Sequence, residues 1–214
     1  MPLFSVIVPA HNSSAYIEVG LQSIVNQSFT DYELIIVCDS CTDNTADIAR
    51  KYTDKVYEVS FGQDGQTRNV GLDHASGEWV LFMDDDDWFL HEFVFQQLAE
   101  AVGKHNEDVL AFSFIWRTVG YQRNYLSGLC VVVWSKCWKR SFIGDTRFSS
   151  VPRTSNVDFH NAMMAKNQSL YPGICLCIIT TICAKGARTN VGRQVKSIET
   201  HPYNRPGSAG AEDF

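Results

Sequence analysis

Apolar and polar positions along the chain predict strands separated by helices. Runs rich in apolar and β-branched residues, typical of buried strands, lie at 3–8, 32–37, 55–59, 78–83 and 109–116. Segments with helical spacing of apolar positions stand between them, at 17–25, 45–52, 67–75 and 91–102. We expect Pro9 to end the first strand, and Asn12 or Ser13 to cap the first helix.

This alternation predicts an α/β fold with a parallel, doubly wound sheet. Ligands bind such sheets beyond the carboxyl ends of the strands. Three loops at those ends, 9–12, 39–44 and 84–87, are polar, and two of them are rich in carboxylates. A functional site is therefore expected where these loops meet.

The second half of the sequence has a less regular pattern. Short strands are predicted at 128–134 and 174–184, and a helix at 156–166. From Pro202 onward the chain is rich in Pro, Gly and small residues, which predicts a flexible tail over 202–214. Neither a repeat nor a linker divides the remainder, so we expect 1–201 to form a single domain.

Composition narrows the class of protein. The net charge is −6, which argues against a general polyanion binder because phosphate backbones require a basic face. The sequence shows no secretory signal and no apolar run of about 20 residues, so we expect no membrane span and a cytoplasmic location. Seven cysteines, several of them in apolar runs, fit a reducing cytosol, and Cys38-x-x-Cys41 lacks the partners of a zinc site.

Four consecutive carboxylates, Asp84–Asp87, follow the fourth predicted strand. Like charges repel, so such a run needs a counter-charge or a disordered setting. A solvated turn, a helix cap, a calcium loop and a catalytic metal site would each use acidic residues. The run lacks the spaced aspartates, the glycine and the distal glutamate of an EF-hand, which disfavours the calcium loop.

Several motifs occur in a characteristic order, namely "FSVIVPAHN", "DYELIIVCDSCTDNT", "GQTRNVGLDHASGEWVLFMDDDDW" and "VWSKCWKRSFIGDTRF". With these motifs the sequence resembles the family 2 glycosyltransferases over 3–90 and again over 133–148. The resemblance implies the GT-A (Rossmann-like) fold, an α/β architecture with a mostly parallel central sheet flanked by helices and a smaller acceptor-side region. It also implies a nucleotide-sugar-binding half at 1–116 and an acceptor-side half at 117–201.

The resemblance also implies roles for individual residues. A sugar nucleotide leaves as a diphosphate, and a divalent cation held by one or two carboxylates can neutralise its growing charge. The family's D-x-D falls on Asp84 and Asp86, and the resemblance places Mn²⁺ or Mg²⁺ at Asp86 and Asp87. Arg68 would bind the diphosphate, and Asp39 would bind the base, most commonly uracil. The implied nucleotide-sugar-binding residues are Pro9, Ala10, His11, Asn12, Asp39, Arg68, Asp84, Asp85 and Asp86.

Several of these residues also have a purely structural interpretation. Asp39 follows a strand and could cap the next helix. Arg68 could be a solvated helix residue, and His11 could be a neutral loop residue. Asp85 is the member of the acidic run that we expect to face solvent.

The residue that removes the acceptor proton is not where the family has it. Inverting members use the Asp of a Glu-Asp pair, and alignment on Phe159 places this pair at Ser155–Asn156. Asn cannot take a proton at neutral pH, so Asp158 is the best substitute and His160 the next. If this segment is helical, Asp158 and Asn156 point about 200° apart, which weakens the substitution.

The expected function is metal-dependent transfer of a sugar from a nucleoside-diphosphate sugar, UDP-sugar above all, to an acceptor hydroxyl, with inversion and with Asp158 as the base. The acceptor could belong to a glycan, a lipid-linked sugar, a protein or a modified base, and a homo-oligomer stays open. The first alternative is a sugar-nucleotide-binding protein with impaired catalysis. The second is a nucleotidyltransferase, although "PAHNSS" lacks the glycines of a phosphate loop.

Overall fold

The computed structural model describes residues 1–118, 121–125, 132–151, 154–166 and 170–181. The strands in these residues are β1 Phe4–Ala10, β2 Tyr32–Asp39, β3 Val56–Val59, β4 Trp79–Phe82, β5 Asp87–Phe89, β6 Val109–Thr118, β7 Tyr121–Tyr125, β8 Lys136–Lys139 and β9 Leu170–Thr181. The helices are α1 Ile17–Val25, α2 Thr45–Ala49, α3 Asp64–His74, α4 Val94–Lys104, α5 Arg140–Ile143 and α6 Ser155–Met164.

The strands form one sheet in the order β3-β2-β1-β4-β8-β6-β9-β5, with β7 paired to β6. The four strands from β3 to β4 are parallel, which confirms the doubly wound prediction for the first half. β8 then runs antiparallel to both β4 and β6, while β9 is parallel to β6. Strands of the two predicted halves therefore share one sheet. The polar loops meet at the carboxyl ends of the parallel strands in the first half.

Close helix–strand packing explains two of the glycines. A Cβ on Gly71 of α3 would lie 2.3 Å from Cγ2 of Ile7, so α3 can rest on β1 only without a side chain there. A Cβ on Gly20 of α1 would lie 2.6 Å from the Asp87 carbonyl oxygen of β5. Every residue of β1 is buried, as its apolar run predicts for a central strand.

The first strand continues through Pro9, which we expected to end it. Pro9 pairs in register with Val37 of β2, and the strand ends at Ala10. The Ile7 carbonyl accepts a hydrogen bond from Met83 N–H at the end of β4, so Pro9 lies beyond that neighbour. Among the described strands, none lies beside Pro9 on the side where a backbone N–H would point. The proline therefore costs no strand hydrogen bond and is tolerated.

The helix cap predicted at Asn12 or Ser13 is wrong. α1 begins after Tyr16, which makes no side-chain capping bond, and the Ser13 carbonyl accepts hydrogen bonds from the N–H groups of Tyr16 and Ile17. Val25, predicted on the apolar face of α1, is 41% exposed. The side chain of Asn12 instead bonds to a neighbouring loop.

The second half departs further from its prediction. β5 follows directly on the acidic run, where no strand was expected. The described part of the predicted strand at 128–134 is not a strand, and β8 lies two residues beyond it. The predicted helix at 156–166 is present as α6, and β9 overlaps the strand predicted at 174–184. The tail predicted at 202–214 lies outside the described residues.

A buried carboxylate, Glu33, lies at the end of the sheet opposite the polar loops. Glu33 of β2 is 9% exposed and accepts hydrogen bonds from Ser5 Oγ, Ser76 N–H and Gly77 N–H at 2.5, 2.6 and 3.0 Å. Lys55 Nζ also pairs with it. Burial raises the pKa of Glu33, but these bonds outweigh it and lower that pKa to about 2.

No helix in the described parts of the chain is long and apolar enough to cross a membrane.

Candidate functional site

The three polar loops at the carboxyl ends of β1, β2 and β4 are joined by hydrogen bonds. His11 N–H donates to Asp85 Oδ2 at 3.1 Å, and His11 Nδ1 lies 2.6 Å from the Asp39 carbonyl oxygen. Asn12 Oδ1 accepts from Thr42 N–H at 2.7 Å. The structure thus brings the predicted loops to one place.

Two further bonds fasten the loop after β1 to the loop after β2. Ser13 N–H donates to Thr45 Oγ1 at 2.8 Å, and Ser14 N–H donates to Asp43 Oδ2 at 3.0 Å. Asp43 also accepts from Thr45 N–H and Oγ1 at 3.0 and 2.5 Å. Burial raises the pKa of Asp43, but the bonds from Thr45 and Ser14 outweigh it and lower the pKa to about 2. Asp43 therefore holds the two loops together as an ionised acceptor.

His11 is exposed, and its ring is oriented by the protein. A carbonyl oxygen only accepts, so Nδ1 carries the hydrogen that points to Asp39, and Nε2 is the acceptor that faces Asn12 Nδ2 at 3.3 Å. Asn12 itself has φ +48°, a left-handed conformation that Asn adopts more readily than most residues. These contacts fix the His11 ring within the loop, and its role in ligand binding stays a prediction.

Asp39 is saturated with hydrogen bonds from the chain. Its Oδ1 accepts from Ser40 Oγ and from the N–H groups of Phe61 and Gly62 at 2.8–2.9 Å. Its Oδ2 accepts from Gln63 N–H at 2.9 Å and from Thr67 Oγ1 at 2.8 Å, which caps the start of α3. Burial raises the pKa of Asp39, but the bonds from Gly62 and Gln63 outweigh it and lower that pKa.

Five donors occupy the carboxylate of Asp39, which has about four lone-pair sites. This geometry argues against the predicted contact from its side chain to a nucleobase. It favours a structural role, although not at the next helix, α2, where we considered it as a cap: Asp39 positions the loop at 61–63 and the first turn of α3.

Arg68 lies beneath the acidic run and is 2% exposed. Its Nη2 donates to Asp84 Oδ1 at 2.5 Å, and its guanidinium carbon lies 5.8 Å from the centroid of the Phe148 ring. Nε and Nη1 are buried and have no hydrogen-bond partner among the described residues. The solvated helix residue that we considered for Arg68 is therefore wrong, and the described residues leave three N–H hydrogens of its guanidinium unbonded.

The four aspartates of the acidic run occupy different environments. Asp84, Asp85 and Asp86 are partly exposed, and Asp84 faces Arg68. Asp85, which we expected to face solvent, accepts the N–H of His11 because the first loop folds over it. Asp87 is 1% exposed and begins β5, where it pairs with Thr180 of β9. The role of Asp87 as a metal ligand stays a prediction.

The candidate base Asp158 lies in the first turn of α6 and is exposed. Its Oδ2 accepts from Ser149 Oγ at 2.6 Å and from Thr154 Oγ1 at 2.9 Å. The bond from Ser149, and then that from Thr154, lowers the pKa of Asp158. Ser155–Asn156 is helical, so Asn156 does point away from Asp158 by about 200°, which weakens the substitution of Asp158 for the family's base. Asn156 Oδ1 is buried without a partner among the described residues.

His160, the second candidate base, is in the core. It is 8% exposed and meets the Trp138 ring edge to face, with centroids 6.5 Å apart. Burial, and then the charge of Lys136, lowers the pKa of His160. This burial argues against contact between His160 and an acceptor.

Two residues that support the site were not predicted from the sequence. Thr67 and Asn69 flank Arg68 in the quoted "TRN" motif, but only Arg68 was given a role. Thr67 binds Asp39, and Asn69 binds the backbone of Phe148. Their polarity within a helix that rests on the sheet was the available signal.

The fold is that of the GT-A glycosyltransferases, and the chain belongs to glycosyl transferase family 2. The family model "Glycosyl transferase family 2" matches residues 5–168. This confirms the resemblance and the GT-A fold class expected from the motifs, and it sets aside the nucleotidyltransferase alternative.

Among similar proteins, the poly(ribitol-phosphate) β-N-acetylglucosaminyltransferase TarS of Staphylococcus aureus strain Mu50 is 40% identical over 118 residues, 51% of this chain and 20% of TarS. The crystal structure of S. aureus TarS 1–349 matches with a TM-score of 0.72 and 26% identity, over 83% of this chain and 60% of that chain. Its complex with UDP-GlcNAc matches with a TM-score of 0.73 and 24% identity, over 91% and 66%. The chain thus spans one-fifth of its curated relative and up to 66% of these structures.

Proposed function

We propose that the chain is a glycosyltransferase that moves a sugar from a UDP-sugar to an acceptor hydroxyl with inversion. One observation carries this proposal: Arg68 is 2% exposed, and its Nε and Nη1 have no hydrogen-bond partner in the described residues. Buried charged donors are costly unless something accepts their hydrogens. Diphosphate oxygens match a guanidinium in charge and geometry.

The similarity to TarS supports the choice of donor. TarS is named as an N-acetylglucosaminyltransferase, and its fragment 1–349 was solved with UDP-GlcNAc. We therefore propose UDP-N-acetylglucosamine as the first donor to test. The loops joined by His11, Asn12 and Asp43 would hold the nucleoside, with Pro9 and Ala10 as backbone walls and Asp39 as the residue that shapes them.

The acidic run fits a divalent cation. Among the described residues no group of three His, Cys, Asp or Glu side chains could hold a metal alone. A cation such as Mg²⁺ or Mn²⁺ commonly takes one or two carboxylates and completes its shell with substrate phosphates and water. Asp84 and Asp86 are partly exposed carboxylates that fit this arrangement, and the predicted ligand Asp87 lies buried beside Asp86. When bound, the cation would neutralise negative charge on the diphosphate.

The residues of the chain then have separate roles. Arg68 would bind the diphosphate and stabilise it as it leaves. Asp158, whose lowered pKa keeps it ionised at neutral pH, would take the proton from the acceptor hydroxyl. Both hydrogen bonds that Asp158 accepts from the described residues end on Oδ2, so we propose that Oδ1 receives the proton.

A sugar-nucleotide-binding protein with impaired catalysis is the second candidate. It is favoured by Asn156, which stands at the family's usual base position and cannot accept a proton. The lowered pKa of Asp158 also makes it a weak base. Such a protein would bind UDP-sugars through the same loops and Arg68 but would not turn them over.

A thermal-shift screen of nucleotide sugars tests the donor class. UDP-N-acetylglucosamine and UDP-glucose should raise the melting temperature, and GDP-mannose should raise it less at the same concentration. A larger shift with GDP-mannose would overturn the assignment of a uridine donor. An absence of shift with every nucleotide sugar, with Mn²⁺ present, would overturn both candidate functions.

A further inference from the structure

Asn69 joins α3 to the segment that follows α5 by two hydrogen bonds. Its Oδ1 accepts from Phe148 N–H at 2.8 Å, and its Nδ2 donates to the Phe148 carbonyl at 3.0 Å. A peptide N–H only donates and a carbonyl only accepts, so these partners determine the orientation of the amide. Asn69 thus holds Phe148 through both of its backbone polar groups.

The ring of Phe148 packs between helix α6 and strand β4. It stacks on Phe159 of α6, with centroids 4.1 Å apart and planes at 7°, and it meets Phe82 of β4 edge to face at 5.3 Å. The guanidinium carbon of Arg68 lies 5.8 Å from its centroid. An aromatic ring at this distance attracts a cation, so the position of Phe148 supports that of Arg68.

The next residue, Ser149, reaches the candidate base. Its Oγ donates to Asp158 Oδ2 at 2.6 Å. Its carbonyl oxygen lies 2.6 Å from where a Cβ on Gly65 would stand, so the segment packs directly on the first turn of α3. The peptide that Asn69 holds therefore contacts Arg68 through one residue and Asp158 through the next.

We propose that Asn69 is a positioning residue for the glycosyl transfer. By holding Phe148 it orients Arg68 toward the donor diphosphate, and through Ser149 it orients Asp158 toward the acceptor. This inference rests on the proposed function, in which Arg68 binds the diphosphate and Asp158 is the base.

The test compares Asn69→Ala with a matched control, Asp73→Asn. Asp73 lies on the same helix and joins the same segment through an exposed ion pair with Arg147, at 2.8 Å. The assay is release of UDP from UDP-N-acetylglucosamine with water as the acceptor and Mn²⁺ present. Asn69→Ala should lower kcat about 10- to 100-fold, because small misplacements of reacting groups are costly. It should also raise the donor KM and move the acid limb of kcat to higher pH as the Ser149 bond is lost. Asp73→Asn should change none of these by more than about twofold, as expected for an exposed pair.

A second variant tests the contact between Phe148 and Arg68 and keeps the two hydrogen bonds between Asn69 and Phe148. Phe148→Leu keeps both backbone bonds and an apolar side chain but removes the aromatic face, so it should raise the donor KM and leave the acid limb in place. A folded Asn69→Ala protein with wild-type kcat, KM and acid limb would overturn the inference, as would Phe148→Leu with a wild-type KM. By contrast, a fully active Asp158→Asn protein would overturn the proposed base, while the KM comparison would still test Asn69.

Discussion

Arg68 and Asp84 form a salt bridge at the carboxyl end of β4, with 2.5 Å between Nη2 and Oδ1. The arginine side chain is 3% exposed and the aspartate side chain 31% exposed, so the pair spans the boundary between core and solvent. Asp84 supplies the counter-charge that one end of the guanidinium needs. The first aspartate of the acidic run therefore orients a cation of the protein itself, and we propose that the other end of that cation binds the diphosphate.

Replacing Arg68 should weaken the binding of diphosphate and leave the binding of nucleoside unchanged. Hydrogen bonds to charged groups contribute about 1.5–3 kcal/mol, so Arg68→Met should lower the affinity for UDP about 10- to 100-fold in calorimetry. The affinity for uridine should stay the same. Arg147→Met, which removes an exposed arginine nearby, is the control and should bind UDP normally. Wild-type UDP affinity in Arg68→Met would refute the diphosphate role.

The metal assignment predicts a difference between two neighbours in the acidic run. Asp86→Ala should remove the increase in UDP affinity that Mn²⁺ gives the wild-type protein, because it deletes a carboxylate proposed to hold the cation. Asp85→Asn should retain that increase, since an amide oxygen can still accept His11 N–H. UDP titrations with and without Mn²⁺ measure both. An undiminished Mn²⁺ effect in Asp86→Ala would rule out this site.

The proposed transfer activity at low pH should depend on Ser149. Its hydroxyl is the main cause of the lowered pKa of Asp158, so the proposed base stays ionised to lower pH than an ordinary aspartate. Activity that needs the ionised form is lost as the pH falls through that pKa. Ser149→Ala should raise the pKa, and the acid limb of kcat should move to higher pH, as kcat measured against pH would show. A limb that does not move would mean that Asp158 is not the titrating group.

Glu33 should contribute to stability in a pH-dependent way. Its pKa is about 2 against an ordinary 4.5, so its contribution is present above pH 4.5 and is lost as the pH falls toward 2. In Glu33→Gln the amide oxygen can keep the donors at Oε1, but the negative charge is lost and an NH2 group faces the Lys55 ammonium. The substitution should destabilise the fold by roughly 2 kcal/mol, or about 4–8 °C in Tm. Glu58→Gln removes only an exposed partner of Arg50 and should change Tm little. Equal Tm values for the two variants at neutral pH would contradict this role.

The sequence predicted the parallel half of the sheet well because buried strands such as β1 and β2 have unbroken apolar runs. It could not predict β5, since Asp87 becomes a strand residue only by pairing with Thr180, far along the chain. The same limit applies within the site. The convergence of the three loops followed from sheet topology, but the five bonds that occupy Asp39 come mainly from a loop more than 20 residues away. The two hydrogen bonds between Asn69 and Phe148 join residues 79 apart, so no local pattern in the sequence predicts them.

Turnover of UDP-N-acetylglucosamine by the wild-type chain and by Asp158→Asn tests the central claim most directly. With Mn²⁺ present, the wild-type protein should release UDP, and the release should stop on addition of a chelator. Asp158→Asn should bind UDP with unchanged affinity. It should form UDP from UDP-N-acetylglucosamine at least about 100-fold more slowly, because general-base catalysis contributes about 10²–10⁴-fold. A wild-type protein that binds UDP but releases none from any UDP-sugar would contradict the claim and identify the chain as a sugar-nucleotide-binding protein.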